Sequence, residues 1–244
     1  MLNEVKSARR VLDILRFFTE ERTPASLARI STALEFPKSS CLSLLETLAA
    51  EGYAYQTNGR YYLTGRWLRD ARVIADNDHL AARCRPFLEK LHRELNETTI
   101  LATLARNSVT YLDVIEADRV LRFSAHVGQH KPLHVGASSR ALLALLPGPQ
   151  LEKRARALKY ERFTDTTPAS ANALIALVAA GRRRGWHVGS GEYQPDTVSI
   201  AASAIVDGEP VALVIGAPTS RVKSLIPKFG AALARIAAEL ADGQ

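Results

Sequence analysis

Three histidines recur at every fourth position, at His126, His130 and His134. On a helix this spacing would place the three imidazoles on one face, where they could ligate a metal ion. Gly128 and Pro132 interrupt any such helix, and no cysteine or carboxylate lies close by in the sequence. A loop that leads into a strand is the expected structure, and we predict neither a metal ion nor another cofactor.

Two short segments approximate the motifs of nucleophilic enzymes. Ser190 lies in Val-Gly-Ser-Gly-Glu, which lacks the first glycine of the G-x-S-x-G motif. The segment from Ser220 to Lys223 spells S-x-x-K, but its companion motifs S-D-N and K-T-G are missing from the sequence. We therefore predict a protein that is not an enzyme. The competing hypothesis of a hydrolase rests on His187, three residues before Ser190.

The composition is that of an ordinary globular protein. Of the 244 residues, 47% are hydrophobic and 23% are charged, and the net charge of +7 favours polyanionic partners. The apolar stretches are much shorter than the roughly 20 residues of a membrane-spanning helix. Cys41 and Cys84 do not form a C-x-x-C pair. We expect a reduced, cytoplasmic protein that does not associate with membranes.

The first 64 residues have the pattern of a winged helix-turn-helix. Apolar residues from Val5 to Phe18 predict a first helix, Ser26 is placed to cap a second, and Pro37 to begin a third. Two β-prone runs flank Asn58-Gly59, which predicts a hairpin. A generic helical bundle with an attached hairpin is the alternative interpretation.

Residues 65–78 are predicted to form a linker helix, and residues 79–244 a larger second domain. Because its strands follow one another with flanking helices, an α+β fold with an antiparallel sheet is favoured over a doubly wound sheet. Helices are predicted before, between and after the strands. The predicted strands are Thr98–Ala105, Val109–Glu116, Val120–Ala125, Trp186–Gly189, Val198–Val206 and Val211–Ala217.

The third helix of a winged helix-turn-helix lies in the major groove of DNA. Its outward face is expected to present Lys38, Ser39, Ser40, Leu42 and Ser43. This set contains no arginine or asparagine for a bidentate base contact, so we expect specificity to depend on DNA shape.

Phosphate contacts are expected from the basic residues around this helix. Arg29, Arg60 and Lys38 are the candidates, and such contacts make binding depend on salt. Each arginine by itself is equally well explained as a solvated surface charge.

Several short motifs resemble the isocitrate lyase regulator (IclR) family of bacterial transcription factors. They are Ser7–Leu15, Phe36–Ser40, Gly59–Leu63, Pro132–His134 and Ser199–Ala202, in the order of that family. The resemblance implies a winged helix-turn-helix joined by a linker helix to a GAF-like sensor domain. It also implies a homodimer or tetramer, a double-stranded DNA operator, and a small-molecule effector that controls a catabolic operon. The alternatives are a hydrolase-like enzyme with a helix-turn-helix appendage and a structural partner-binding protein with a degenerate helix-turn-helix.

The resemblance also implies the position of an effector pocket. Backbone N–H groups at Ser138 to Arg140 could hold a carboxylate at the start of a helix, with added charge from Arg140. Val214 and Gly216 stand where the family has polar residues, so we expect an apolar pocket for an aromatic or branched acid. Alternatively, Val214 belongs to the core and the serines cap the helix. The implied pocket residues are Ala137, Ser138, Ser139, Arg140, Ser199, Val214 and Gly216.

Overall fold

A computed structural model describes residues 5–243, and the chain divides into two compact units between Asp78 and His79. The first unit is built from four helices and three short strands. These are α1 (Lys6–Glu21), β1 (Ala25–Ser26), α2 (Leu27–Ala33), α3 (Lys38–Ala50), β2 (Ala54–Thr57), β3 (Arg60–Leu63) and α4 (Arg66–Asp76).

The second unit, within residues 79–243, contains six strands and six helices. They are α5 (His79–Leu95), β4 (Thr98–Ala105), β5 (Ser108–Ile115), β6 (His130–Pro132), α6 (Gly136–Leu143), α7 (Gly148–Arg156), α8 (Ala171–Arg184), β7 (His187–Ser190), β8 (Thr197–Val206), β9 (Glu209–Pro218), α9 (Thr219–Val222) and α10 (Ile226–Asp242). None of the helices in the described part of the chain has both the length and the apolar character to cross a bilayer.

The first unit has the predicted three helices followed by a hairpin. Ser26 caps α2, since its Oγ accepts a hydrogen bond from the Arg29 backbone N–H at 3.3 Å. The apolar stripes of α1, α2 and α3 meet in one core, which includes Ile14, Ile30 and Leu45. The prediction of a winged helix-turn-helix is confirmed.

The hairpin forms because its turn residues tolerate positive φ. Asn58 and Gly59 have φ values of 49° and 70°, as a two-residue type I′ turn requires. Strand β3 pairs on its other side with β1, a two-residue strand that the sequence pattern did not predict. In that pairing the buried Tyr61 lies opposite Ala25, which ties the hairpin to the residues before α2.

The second unit is an α+β domain with a fully antiparallel sheet. The strand order is β6-β5-β4-β9-β8-β7. Alternate side chains point to opposite faces, and helices cover both faces. One face packs against α5 and α10, and the other against α6, α7 and α8. For that reason the central strand β9 is buried continuously from Val211 to Ala217 rather than at alternate positions.

The strand predicted at Val120–Ala125 is wrong, because this segment is part of a loop between β5 and β6. Val120 is fully exposed at 103%, so its apolar character does not reflect sheet packing. The Glu116 carboxylate closes the loop on itself by accepting hydrogen bonds from Arg122 and Ser124. The strand next to β5 lies further along the chain, at His130–Pro132.

A pair of glycines tests the role of the type I′ turn. Gly59→Ala should destabilise the first unit by about 1 kcal/mol, because Ala is strained at positive φ. Gly65 has a φ of −65°, so Gly65→Ala should change stability by less than about 0.5 kcal/mol. In both cases an added Cβ meets no atom within 4 Å, which leaves backbone conformation as the difference. Urea unfolding followed by Trp67 fluorescence, in a shared Trp186→Phe background, measures both. Equal effects of the two substitutions would contradict this account of the turn.

Candidate functional site

The outward face of α3 is accessible within the first unit. Lys38, Ser39 and Ser43 are exposed, whereas Ser40 and Leu42 are half-buried. The Ser43 hydroxyl donates to the Ser39 carbonyl at 3.1 Å, so its lone pairs remain available as acceptors. The face is small and polar, with one flexible cation at its start.

The basic residues near α3 differ in how they are engaged. Arg29 forms an ion pair with Glu21, with 2.8 Å between Nη2 and Oε1. Arg60 is exposed on the wing, and its side chain donates a long hydrogen bond, 3.5 Å, to the Pro24 carbonyl. Lys38 forms no ion pair with any residue that the structure describes. Lys38 and Arg60 are therefore more available to phosphates than Arg29.

The second unit contains a small cavity of about 40 Å³. It lies between the start of α6, strands β7 and β8, and the loop between β5 and β6, and has room for roughly three water molecules. Its walls combine aromatic rings with a few polar groups. The lining residues are Tyr111, Phe123, Lys131, Val135, Gly136, Ser138, Gly189, Gly191, Glu192, Tyr193, Gln194, Thr197 and Ser199.

Two glycines flank Ser199 on the neighbouring strands, Gly189 on β7 and Gly216 on β9. A Cβ at Gly189 would lie 2.8 Å from the Gly136 Cα, and a Cβ at Gly216 would lie 2.5 Å from the Phe123 ring. Only glycine therefore allows the start of α6 and the Phe123 ring to approach the sheet this closely. The two close approaches reduce the cavity to its small size.

The carboxylate of Glu192 holds the first turn of α6. Its Oε2 accepts a hydrogen bond from the Gly136 N–H at 2.9 Å, and its Oε1 accepts one from Arg140 Nη2 at 2.5 Å. Arg140, which is 2% exposed, also donates to the Val188 carbonyl. The Ala137 N–H donates to Ser199 Oγ at 3.0 Å. Side chains of the protein thus satisfy two of the first N–H groups of α6 and neutralise Arg140.

The pocket residues implied by the resemblance divide into two groups. Ser138 and Ser199 line the cavity. The others lie behind its walls: Ala137, Ser139 and Arg140 are buried in α6, Val214 is in the core beneath, and Gly216 lies under the Phe123 ring. Neither serine caps α6, since the N-cap residue is Val135.

Lys131 is a cavity residue that the sequence analysis did not identify. It is 8% exposed, and its Nζ lies 3.8 Å from the centre of the Tyr193 ring. Burial lowers the pKa of Lys131 to about 8. No carboxylate among residues 5–243 forms an ion pair with it. Sequence signals for this position were weak, because a lysine beside a proline in a short strand is usually a surface residue.

Tyr111 forms another wall of the cavity and is 4% exposed. Burial, together with the nearby Tyr193, raises the pKa of Tyr111 to about 12, so its hydroxyl is un-ionised at neutral pH. The walls are thus aromatic, with hydroxyl groups that can donate or accept hydrogen bonds.

The three regularly spaced histidines do not converge. His130 is on β6 and its Nδ1 lies 2.9 Å from Thr110 Oγ1, whereas the His134 Nε2 lies 2.9 Å from the Glu161 carbonyl. His126 is exposed in the preceding loop. Across residues 5–243, no group of three or more His, Cys, Asp or Glu side chains is arranged to hold a metal ion.

His187 and Ser190 do not form a nucleophile and base pair. Both are on β7, three residues apart, so their side chains point to opposite faces of the sheet. Burial and the nearby guanidinium of Arg140 lower the pKa of His187 to about 4. The hydrolase hypothesis therefore loses the residues on which it rested.

The ion pair between Glu192 and Arg140 gives a prediction about stability. Glu192→Gln should destabilise the second unit by about 3 kcal/mol or more, since it leaves a buried guanidinium without a counter-charge. Asp165→Asn removes the carboxylate of an exposed pair with Arg162 and should cost less than about 1 kcal/mol. The denaturant concentrations at the midpoint of unfolding are measured for the two variants and compared with that of the wild type. A cost for Glu192→Gln no greater than that for Asp165→Asn would refute the structural role of this pair.

Comparison with known proteins agrees with this architecture. The model of the bacterial transcriptional regulator IclR C-terminal domain matches residues 73–241, and that of the IclR helix-turn-helix domain matches residues 7–58. The chain is 31% identical over 198 residues to the probable transcriptional regulator SauR of Cupriavidus necator, covering 80% of this chain and 78% of SauR.

Solved structures share the fold along nearly the whole chain. The IclR structure of Thermotoga maritima matches with a TM-score of 0.82 and 16% identity, covering 98% of this chain and 99% of that chain. An IclR homologue from Microbacterium hydrocarbonoxydans, in complex with 4-hydroxybenzoate, matches with a TM-score of 0.75 and 21% identity, covering 97% and 98%. At these identities the structural likeness shows the fold alone, whereas the matching domain models extend over both units. The chain therefore belongs to the IclR family of bacterial transcriptional regulators.

Proposed function

We propose that this regulator binds a double-stranded DNA operator and that a small organic acid in the cavity beside α6 modulates that binding. The regulated genes are proposed to form a catabolic operon. The protein acts in the cytoplasm, where the DNA is, and catalyses no reaction.

The observation that carries the proposal is the cavity itself. It combines three aromatic rings, from Tyr111, Phe123 and Tyr193, with a buried ammonium group at Lys131. Aromatic walls with a few convergent polar groups are typical of small-molecule sites. The complex of the Microbacterium homologue with 4-hydroxybenzoate supports an aromatic acid as the ligand class.

The size of the cavity requires a rearrangement on binding. A volume of about 40 Å³ is too small for an aromatic acid, and Phe123 occupies the space over Gly216. An effector of this class would displace the Phe123 ring and the loop that carries it. A ligand that prefers the rearranged state shifts the equilibrium toward it, and this differential affinity is what could alter operator binding.

The DNA interface proposed for the first unit is the outward face of α3 together with the wing. Its small polar side chains discriminate bases weakly, so the shape of the operator should contribute much of the specificity. The residues proposed to contact DNA are Lys38, Ser39, Ser40, Leu42 and Ser43 on α3, with Arg29 and Arg60 beside it.

A homodimer is proposed through the first unit, with a tetramer as the larger assembly. Exposed apolar side chains lie on α1 and α4, where Leu12 is 53%, Leu68 is 56% and Ile74 is 72% exposed. Such exposure on two helices is typical of surfaces that associate. A dimer also matches the two-fold symmetry of most operators.

The function is tested by gel shift of the DNA upstream of the protein's own gene, with and without a panel of carboxylic acids. We expect a specific complex whose affinity changes with at least one acid. A protein that binds no DNA would favour the partner-binding alternative, and a complex insensitive to every acid would contradict the proposed effector class.

The phosphate contacts give a prediction about salt dependence. Lys38→Ala and Arg60→Ala should each weaken binding to all DNA sequences and reduce the slope of log K against log salt by about 1. Lys159→Ala serves as the control, because it removes an exposed charge from the second unit. Fluorescence anisotropy at several salt concentrations measures the slopes. Slopes that match the wild type would remove these residues from the phosphate contacts.

A further inference from the structure

Lys131 is a buried cation to which the described residues offer a ring face but no carboxylate. Its side chain lines the cavity and is only 8% exposed. Its ammonium group contacts the face of the Tyr193 ring. Among the described residues no carboxylate pairs with it, although buried charges in proteins are normally paired. A buried ammonium that faces a cavity costs stability unless an anion enters.

The start of α6, where the family resemblance implies a carboxylate site, already has an anion. The Glu192 carboxylate accepts hydrogen bonds from the Gly136 N–H and from Arg140. A second carboxylate placed there would meet like charge from Glu192, which lines the same cavity. Of the residues that line the cavity, Lys131 is the cationic one and Glu192 the anionic one, so an anion is favoured at Lys131 and disfavoured beside Glu192.

We infer that Lys131 is the specificity-determining residue of the effector site, and that it selects a monocarboxylate whose single anionic group binds its ammonium. The ring or chain of the ligand then extends between Tyr111 and Tyr193. A dicarboxylate is rejected because its second charge would approach Glu192. The inference rests on the proposed function, and it identifies the anion-binding group within that site.

The first test compares ligands of one shape and different charge. The probes are 4-hydroxybenzoate, its neutral amide and terephthalate, together with phenylacetate and its amide, and binding to the full chain is measured by thermal shift and calorimetry. The monocarboxylates should raise the melting temperature of the wild type, whereas the amides and terephthalate should not. Tighter binding of an amide or of terephthalate than of the matching monocarboxylate would overturn the inference.

Substitution of the lysine gives the second test. Lys131→Met should weaken binding of the monocarboxylates by about 30-fold or more, because it removes one partner of a desolvated charge pair. The variant should fold, since methionine relieves the cost of a buried charge, and its melting temperature without ligand reports this directly. Lys159→Met, at an exposed position of the same unit, should leave affinity unchanged. If Lys131→Met binds the monocarboxylates with an affinity within twofold of the wild type, the proposed role of Lys131 is refuted.

The pH profile separates a charge contact from a merely structural role. Burial holds the pKa of Lys131 at about 8, so the free site is largely charged at pH 7 and loses its proton as pH rises through 8. Acid affinity should be constant below pH 7 and fall about tenfold per pH unit above 8, because binding then requires proton uptake. The other titratable groups that face the cavity are Tyr111, Glu192 and Tyr193. His130, next to Lys131 on β6, is exposed and interacts with Thr110.

Lys131→Arg should restore acid binding and keep it constant through pH 9, because a guanidinium stays protonated. A wild-type affinity that does not change between pH 7 and 9 would contradict the inference. These results are distinguishable from a failure of the proposed function. If Lys131→Met still responds to acids in the gel shift, the inference fails and the effector proposal stands, whereas an operator complex insensitive to every acid contradicts the proposal itself.

Discussion

The close approach of α6 to the sheet is the constraint on which the sensor unit depends. Glycine at position 189 leaves room for the backbone of Gly136, and the Glu192 carboxylate binds the N–H group that this approach brings within reach. Arg140, one turn further along α6, neutralises the same carboxylate. Glu192 and Ser199 bind the N–H groups of Gly136 and Ala137, and Glu192 neutralises Arg140, so side chains of the protein already occupy much of the helix start.

This internal compensation determines the electrostatics of the cavity. Arg140 pairs with Glu192 from behind the cavity wall, so the charged groups that line the cavity are the Lys131 ammonium and the Glu192 carboxylate. Phe123, seated over Gly216, keeps the volume small in this conformation. Under the proposed function, binding of an acid and movement of the loop that carries Phe123 would be coupled, and this loop would transmit occupancy of the cavity to the rest of the unit.

The first unit is stabilised by other interactions than the second. Its core is an ordinary helical cluster, and the hairpin is held by a turn that tolerates positive φ and by the short strand β1. The surface it offers to DNA is small, polar and weakly cationic. In the proposed function such a surface relies on phosphate contacts for affinity and on operator shape for specificity.

The amino-acid sequence by itself predicted the helix-turn-helix and hairpin of the first unit and the α+β class of the second. The spacing of apolar residues predicted the helices of the first unit, Asn58-Gly59 predicted the wing, and alternation with turn residues predicted most strands, because these signals are local. The strand predicted from the apolar run at Val120–Ala125 was wrong because local hydrophobicity does not reveal whether a neighbouring strand exists.

Only the tertiary structure decided how the site is composed. The sequence suggested that Arg140 could bind a ligand, but in the fold it binds Glu192, which is 52 residues away in the sequence. A lysine beside a proline is typical of a surface, but in the fold Tyr193 packs over Lys131. Charge compensation and desolvation depend on residues far apart in the chain, and no local pattern records which distant side chains meet.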